Sequence, residues 1–341
     1  MKLLKRLGLL ASSLFLCLGL LEFLLRILAP LQWIFPVSDW THQYGVIAYP
    51  DRQIVNAQPG HFRYIYTTNK DRLRGTWVSP HSYKCNLLLL GDSNVFGFGV
   101  QDNETIDVRF NELTSSSPRM INMGNGGWSL PQAVRRYIDI GREYTPQGII
   151  LHMAGNDLED PTYGINWVAY AKSDGSIGLR DIPEMPSAGR LRKLVPPDGY
   201  TYKLMMTSQL ALRLKSVFNN RSLPTNQPIE VSSEQVVVRQ KSVNEFRYAA
   251  LLRAFALQLQ TDKVRFIFIV DQRDFYGSEI VRQEAEALAL ERYLELHFVH
   301  DWFIPGKDLP KSSQGHAFGA EACEALANKL KEIWEDTSTG S

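Results

Sequence analysis

The chain has 341 residues, enough for one large α/β domain with further segments attached. Its 37 Lys and Arg against 36 Asp and Glu leave a formal net charge of +1, which gives no electrostatic basis for binding nucleic acid or a strongly acidic partner. Cys17, Cys85 and Cys323 are too widely spaced for a metal-ligand or redox pair, so isolated thiols are expected.

Lys2, Lys5 and Arg6 precede an apolar run at 7–28, long enough to cross the ~30 Å hydrocarbon core of a bilayer. The basic start predicts a cytoplasmic N-terminus, with everything after about Trp33 on the far side of the membrane. A cleaved signal peptide would have a shorter apolar core and a small-x-small site, and Ala29-Pro30-Leu31 offers none. Leu16 before Cys17 argues against a lipoprotein. Glu22 is the one acidic residue in the run, and Arg26 one helical turn later is its expected partner. Residues 1–30 are therefore read as a signal anchor.

Residues 31–82 are rich in aromatic, proline and turn residues, and are read as a pre-domain strand and loop packed against the core sheet. A core domain at 83–335 then alternates strand and helix, as a doubly wound α/β/α sandwich with a central parallel sheet requires. Strands are predicted at 87–90, 119–122, 149–153, 264–270 and 295–299. Helices are predicted at 105–113 with Val108, Phe110 and Leu113 inward, at 131–144, 243–260 and 278–293, and at 315–334. An insertion at 158–240 interrupts the alternation. It holds a hairpin at 168–180 turning on Ser173-Asp174-Gly175, a Pro-rich stretch at 183–197, a helix at 200–218 and a polar linker at 219–233. It is placed to act as a cap, and 336–341 is a polar tail.

The chemistry gathers where the strands end. The four leucines of 87–90 run into Gly91-Asp92-Ser93, placing a serine at the carboxyl edge of a sheet, where open α/β sheets hold ligands. The strand at 119–122 leads to Met123-Gly124-Asn125-Gly126-Gly127, and the strand at 149–153 leads to Gly155-Asn156-Asp157. Gln314-Gly315-His316 lies far to the C-terminus. This order of motifs resembles the SGNH (GDSL-type) hydrolase superfamily, over roughly residues 64–335 and in a membrane-anchored bacterial form. The resemblance implies a flavodoxin-like sandwich in which Ser93 is the nucleophile. The Ser93 and Gly127 amides and the Asn156 side chain would form the oxyanion hole, and a C-terminal histidine would be the base. Asp92 is expected to pin the serine turn from behind and Asp157 to hold Asn156. A side chain at 127 would obstruct the approach to its amide, which favours glycine there.

The last block departs from the family's usual Asp-x-x-His. In one alignment His316 is the base, with Ser313 where an aspartate is expected and Asp308 or Asp301 available to orient the ring. In the other, Gly315-His316 opens the final helix, Pro310 occupies the position of the base, and the enzyme is dead. His316 is preferred, because His297 and His300 fall within or at the end of the strand at 295–299.

Neither GxGxxG nor GxxxxGK[ST] follows Leu90, the serine is not in a G-x-S-x-G elbow, and no histidine pair has zinc spacing. No cofactor or metal is expected. Two functions remain. The first is a membrane-anchored esterase acting on acyl or acetyl esters, with a small-molecule, lipid or cell-envelope glycan substrate. The second is an inactive relative that binds envelope carbohydrate or a partner protein. The sequence leaves the oligomeric state open.

Overall fold

The computed structural model describes residues 2–28, 38–41, 43–58, 62–115, 117–158, 167–172, 176–181, 208, 210, 232–302 and 318–336. The chain divides into two compact units. One comprises Met1–Val37, Val55–Arg63 and Ser187–Ile229, and the other Ser38–Ile54, Tyr64–Pro186 and Glu230–Ser341.

In the first unit, helix α1 (Lys2–Leu28) contains an apolar window at Gly8–Leu25 with mean hydropathy 2.1, none of it buried. It is long and apolar enough to cross a membrane. A carboxylate on such a helix is costly unless its oxygens find donors. The Glu22 carboxylate accepts hydrogen bonds from the Ser208 hydroxyl at 3.0 Å and the Leu210 amide at 2.9 Å, partners not foreseen, while the side chain of Arg26, its expected partner, lies outside the described residues.

The second unit is built on five parallel strands: β5 (Asn86–Leu90), β6 (Arg119–Asn122), β7 (Gly148–Met153), β10 (Arg265–Val270) and β11 (Glu295–Phe298). Their spatial order is β11-β10-β7-β5-β6. Counted along the chain this is 2-1-3-4-5, the flavodoxin-like winding, and its direction reverses between β5 and β7. The three inner strands β5, β7 and β10 are covered on both faces, so they read as nearly unbroken apolar runs, whereas the edge strands β6 and β11 carry polar residues.

Side-chain alternation divides the core into two layers. Leu88, Leu90, Ile149, Leu151, Phe266 and Phe268 pack against α4 (Leu130–Asp139), α5 (Ser232–Thr261) and α6 (Glu279–Leu290). Leu87, Leu89, Ile150, Ile267 and Ile269 face α3 (Ile106–Leu113) and α7 (Ala320–Asp336). Each such side chain, fully buried, contributes about 1.5–3 kcal/mol.

Several helices depart from expectation. Helix α3 buries Ile106, Phe110 and Asn111, whereas Leu113 is 38% exposed, so the inward face is rotated from the one read in the sequence. Helix α4 starts in a capping box between Ser129 and Gln132, with proline in its first turn. It ends at Asp139 rather than running to 144, and a 3-10 turn, Gly141–Tyr144, follows. At Gly141 a Cβ would lie 3.1 Å from Leu88 Cδ1, so the chain leaves the helix where it presses on the sheet. Helix α5 begins eleven residues before the expected 243.

Arg265 on β10 closes the far edge of the sheet. It holds Glu295 of β11 with two bonds at 2.6 and 2.7 Å, and donates to the Ile333 and Trp334 carbonyls at the end of α7 at 2.9 and 3.3 Å. A cation there also complements the negative end of the helix dipole.

Four short strands precede β5: β1 (Asp39–Thr41) and β2 (Gly45–Ile47) pair antiparallel, and β3 (Arg52–Gln58) and β4 (Phe62–Thr68) form a second two-stranded sheet. After β7 comes an antiparallel hairpin, β8 (Trp167–Ala171) and β9 (Ile177–Asp181), packed on α4 and α5. The hairpin expected at 168–180 is therefore present, although its turn at 173–175 lies outside the described residues. So do 183–197 and most of 200–231.

Candidate active site

The central strand β5 delivers the serine. Gly91 leaves the strand with its backbone close-packed on β7, since a Cβ there would sit 3.2 Å from the His152 carbonyl oxygen. Asp92, 1% exposed, is the N-cap of the one-turn helix α2 (Ser93–Phe96), and its Oδ1 accepts from the Asn94 amide at 2.9 Å. The Ser93 hydroxyl is partly exposed and donates to Asp92 Oδ2 at 3.4 Å. Gly97 stops the helix in the left-handed conformation (φ 79), and the Gly97 and Phe98 amides return to the Ser93 carbonyl at 3.1 and 3.0 Å.

The loop after α2 is held by Arg74, which is buried. Its guanidinium donates to the carbonyls of Phe96 at 2.9 Å, Gly97, and Val100 at 2.6 Å, and its Nε meets Asp102 Oδ1 at 2.9 Å. Asp102 is fixed in turn by the Thr67 amide and hydroxyl on β4 at 2.8 and 2.7 Å. Tyr64 and Tyr66 of β4 are buried against Phe98 and Phe96. The segment before the sheet is thus a packed support of the loop that follows Ser93.

The loop after β6 approaches Ser93 from one side: a Cβ on Gly126 would lie 4.0 Å from Ser93 Cβ. Asn122 ties this strand to α2 by donating to the Val95 carbonyl at 2.7 Å, and its Oδ1 accepts from the Gly124 amide at 3.1 Å. Asn125 accepts from the Ala48 amide at 3.0 Å and donates to the Val46 carbonyl at 3.2 Å, and Trp128 Nε1 donates to that same carbonyl at 2.7 Å. Gly127 is exposed, with φ +77 and nothing within 4 Å of where a Cβ would lie. The positive φ favours glycine on backbone grounds, in addition to the expected need to leave the amide open to approach.

The third loop follows β7. Asn156 lies in the 3-10 turn Gly155–Leu158, and its side chain is outside the described residues. Asp157 is buried, and its Oδ2 accepts from the Ala154 amide at 3.0 Å, closing the turn on itself. The Ser129 hydroxyl donates to the Asp157 carbonyl at 2.9 Å and links the second and third loops. Ser93, Gly127 and Asn156 thus follow the carboxyl ends of three adjacent strands, with Ser93 and Asn156 flanking the crevice where the winding reverses.

Of the other residues expected here, His316, Asp308 and the competing Pro310 lie outside the described residues. Asp301 is held by Arg273 in a two-pronged ion pair at 2.9 and 2.6 Å, so that carboxylate already has a cation. The three cysteines are free.

Three further groups lie beneath the serine turn and belong to no motif. His152, 4% exposed on β7, places Nε2 2.7 Å from Asp271 Oδ1, and the Tyr276 hydroxyl donates to Asp271 Oδ2 at 2.8 Å. The signal for His152 is a lone polar residue inside an apolar strand. Burial disfavours the His152 cation, but the Asp271 and Asp92 carboxylates outweigh it and raise the pKa above the ordinary histidine value. Burial also raises the Asp92 carboxyl, against the opposing pull of His152, and raises Asp157 well above its usual range, helped by Asp92.

No protein-family model matches the chain, and no curated protein matches it. Solved structures similar to it include esterases and lipases of the GDSL and SGNH groups. The psychrotrophic esterase EstA from Pseudoalteromonas sp. is 13% identical, with 74% of this chain and 98% of that one covered at a TM-score of 0.41. A GDSL-like lipase from Bacteroides thetaiotaomicron is 10% identical over 76% and 93% of the two chains, with a TM-score of 0.39. The SGNH-hydrolase family esterase AlinE4 is 14% identical over 74% and 97%, with a TM-score of 0.34.

Proposed function

We propose that the chain is a membrane-anchored serine hydrolase of the SGNH type that cleaves ester bonds. The observation that carries this reading is Ser93 at the head of a capped helical turn on the central strand, flanked by the Gly126-Gly127 loop and the Asn156 turn. A hydroxyl is a weak nucleophile until a base takes its proton. In this reading His316 is that base. The Ser93 oxygen bonds to the ester carbonyl carbon as its proton passes to the imidazole. Negative charge collects on the carbonyl oxygen, facing the Ser93 and Gly127 amides and the Asn156 side chain. The alkoxide leaves with the proton from His316, and water then releases the acyl group by the same route.

Helix α1 would tether the site to the inner membrane, with the α/β domain on the periplasmic or outer side. Acyl or acetyl esters of envelope glycans or lipids are the substrates within reach of such a tether. The test uses the full-length chain in detergent, with a panel of nitrophenyl esters and a fluorophosphonate probe for reactive serines. Ser93→Ala and His316→Ala should each abolish hydrolysis, and Asn156→Ala should lower turnover by ~10²–10³. Full activity in Ser93→Ala would overturn the reading. Full activity in His316→Ala would remove that residue from the mechanism. Inactivity of the parent on every ester would favour the alignment with Pro310 in the position of the base.

A further inference from the structure

The line of polar groups under the serine is unusual for the interior of a parallel sheet. Tyr276 Oη meets Asp271 Oδ2 at 2.8 Å, and Asp271 Oδ1 meets His152 Nε2 at 2.7 Å. His152 Nδ1 faces Asp92 Oδ1 at 3.9 Å, and Asp92 Oδ2 receives the Ser93 hydroxyl at 3.4 Å. Phe318 closes the far side of the imidazole edge-on, with ring centroids 5.3 Å apart. His152 Nδ1 has no hydrogen-bond partner among the described residues. A neutral ring protonated on Nε2 keeps its bond to Asp271 but turns an unprotonated Nδ1 toward Asp92. An imidazolium gains from both carboxylates, because unpaired buried charge is expensive and a central cation compensates two anions at once.

We propose that His152 is a positioning residue for the nucleophile: held as an imidazolium by Asp271, it balances the buried Asp92 carboxylate on which Ser93 rests. The inference rests on Ser93 being the nucleophile. Its consequence is electrostatic. A bare carboxylate beside Ser93 would oppose the negative charge that develops when the serine attacks, and a neighbouring cation cancels that opposition while leaving Asp92 charged to cap α2. Without the cation, Asp92 would take up a proton more readily, which weakens its charge-assisted bond from the Asn94 amide. The titratable groups around this line are Asp92 after β5, Asp157 after β7, Asp271 after β10, Tyr276 in the following turn and Tyr248 on α5. Tyr276 and Tyr248 are pushed up by burial and by these carboxylates, so they stay neutral throughout the working range.

The test has two independent arms on the full-length chain in detergent. The first is the rate of Ser93 labelling by the fluorophosphonate probe as a function of pH, with Ser93→Ala as blank. His152→Phe and Asp271→Asn should each slow labelling roughly tenfold or more and move the acid limb to higher pH. The double variant should be no slower than His152→Phe alone, because Asp271 acts through His152. Unchanged rate and limb in a folded Asp271→Asn would overturn the inference. The second arm reads the protonation of the His152 ring by ¹⁵N NMR, assigned by its loss in His152→Phe. A doubly protonated ring at pH 7.5 or so in the parent, becoming neutral in Asp271→Asn, supports the inference, whereas a ring titrating near the ordinary value of ~6.5 overturns it. If parent and Ser93→Ala label alike, the hydrolase reading fails, and the ring measurement alone decides the charge state of His152.

Discussion

Arg74→Ala should loosen the loop that follows Ser93 without unfolding the sheet. The substitution removes four hydrogen bonds, one to Asp102 and three to the carbonyls of Phe96, Gly97 and Val100. The guanidinium side chain is 2% exposed, so water does not readily replace those donors. Breaking a buried, hydrogen-bonded charge cluster by deleting one partner costs about 3–5 kcal/mol. Asp102 keeps its two bonds from Thr67, which places the loss mainly on the three carbonyls. Arg74→Lys keeps the charge, but a single ammonium cannot span three carbonyls and a carboxylate, so about half the loss is expected. Domains of this kind have ~5–15 kcal/mol in hand, so the fold survives while the loop opens. Hydrogen exchange on the full-length chain reads this directly. The Gly97 and Phe98 amides, which close on the Ser93 carbonyl, should exchange roughly 10²–10³ times faster in Arg74→Ala. Equal protection of those amides in parent and variant would refute the assignment of Arg74 as the clamp.

Glu295 gives a pH test. Burial alone would raise its carboxyl, yet the bonds from Arg265, with help from His297, hold it down at about 2. Because the folded value is depressed, this stabilisation is present above the ordinary carboxylate range and is lost as pH falls through about 2. Solvent screening at this partly exposed edge limits it to about 1 kcal/mol. Glu295→Gln should therefore flatten the acid side of the urea-midpoint profile, and parallel profiles would contradict the pairing. Gly97→Ala should destabilise more than Gly127→Ala by differential thermal melting. Both have positive φ, but only at 97 would the new Cβ fall 2.8 Å from Thr105 Cγ2 and 2.9 Å from Arg74 Nη1. Removing residues 1–30 should give a domain that stays in the supernatant without detergent, and sedimentation with membranes would argue for a second attachment.

The strands of the sheet were legible because strands covered on both faces leave apolar runs of the right length, as 86–90, 148–153 and 265–270 do. Helix ends were less so. The end of α4 at Asp139 has one local sign, Gly141 directly after the C-cap Ile140, but the helical pattern that continues toward Tyr144 masks it. The inward face of α3 includes Asn111, whose side chain bonds both the amide and the carbonyl of Met120, and polarity hides that role from a hydrophobic count. Gly-Asp-Ser and its companion motifs are short-range signals and could be placed at once. Arg74 and Asn125 act on residues 22 and 77 or more positions away, so their meaning exists only in three dimensions. His152 stands out as a polar residue in an apolar strand, but its neighbours Asp92 and Asp271 follow two other strands, so the cluster exists only in the fold.

The bond between Asn125 and the backbone of residues 46–48, together with the Arg74 clamp, bears on how such a domain can be inherited or recombined. A gene cassette cut at residue 83 would carry the Gly-Asp-Ser, Gly-Gly and Gly-Asn-Asp loops and leave behind the braces of two of the three. During synthesis the order is reversed, since 38–75 leave the ribosome first and wait for the loops they will hold. A graft of this domain should therefore keep the residues from Ser38 onward rather than begin at the first core strand.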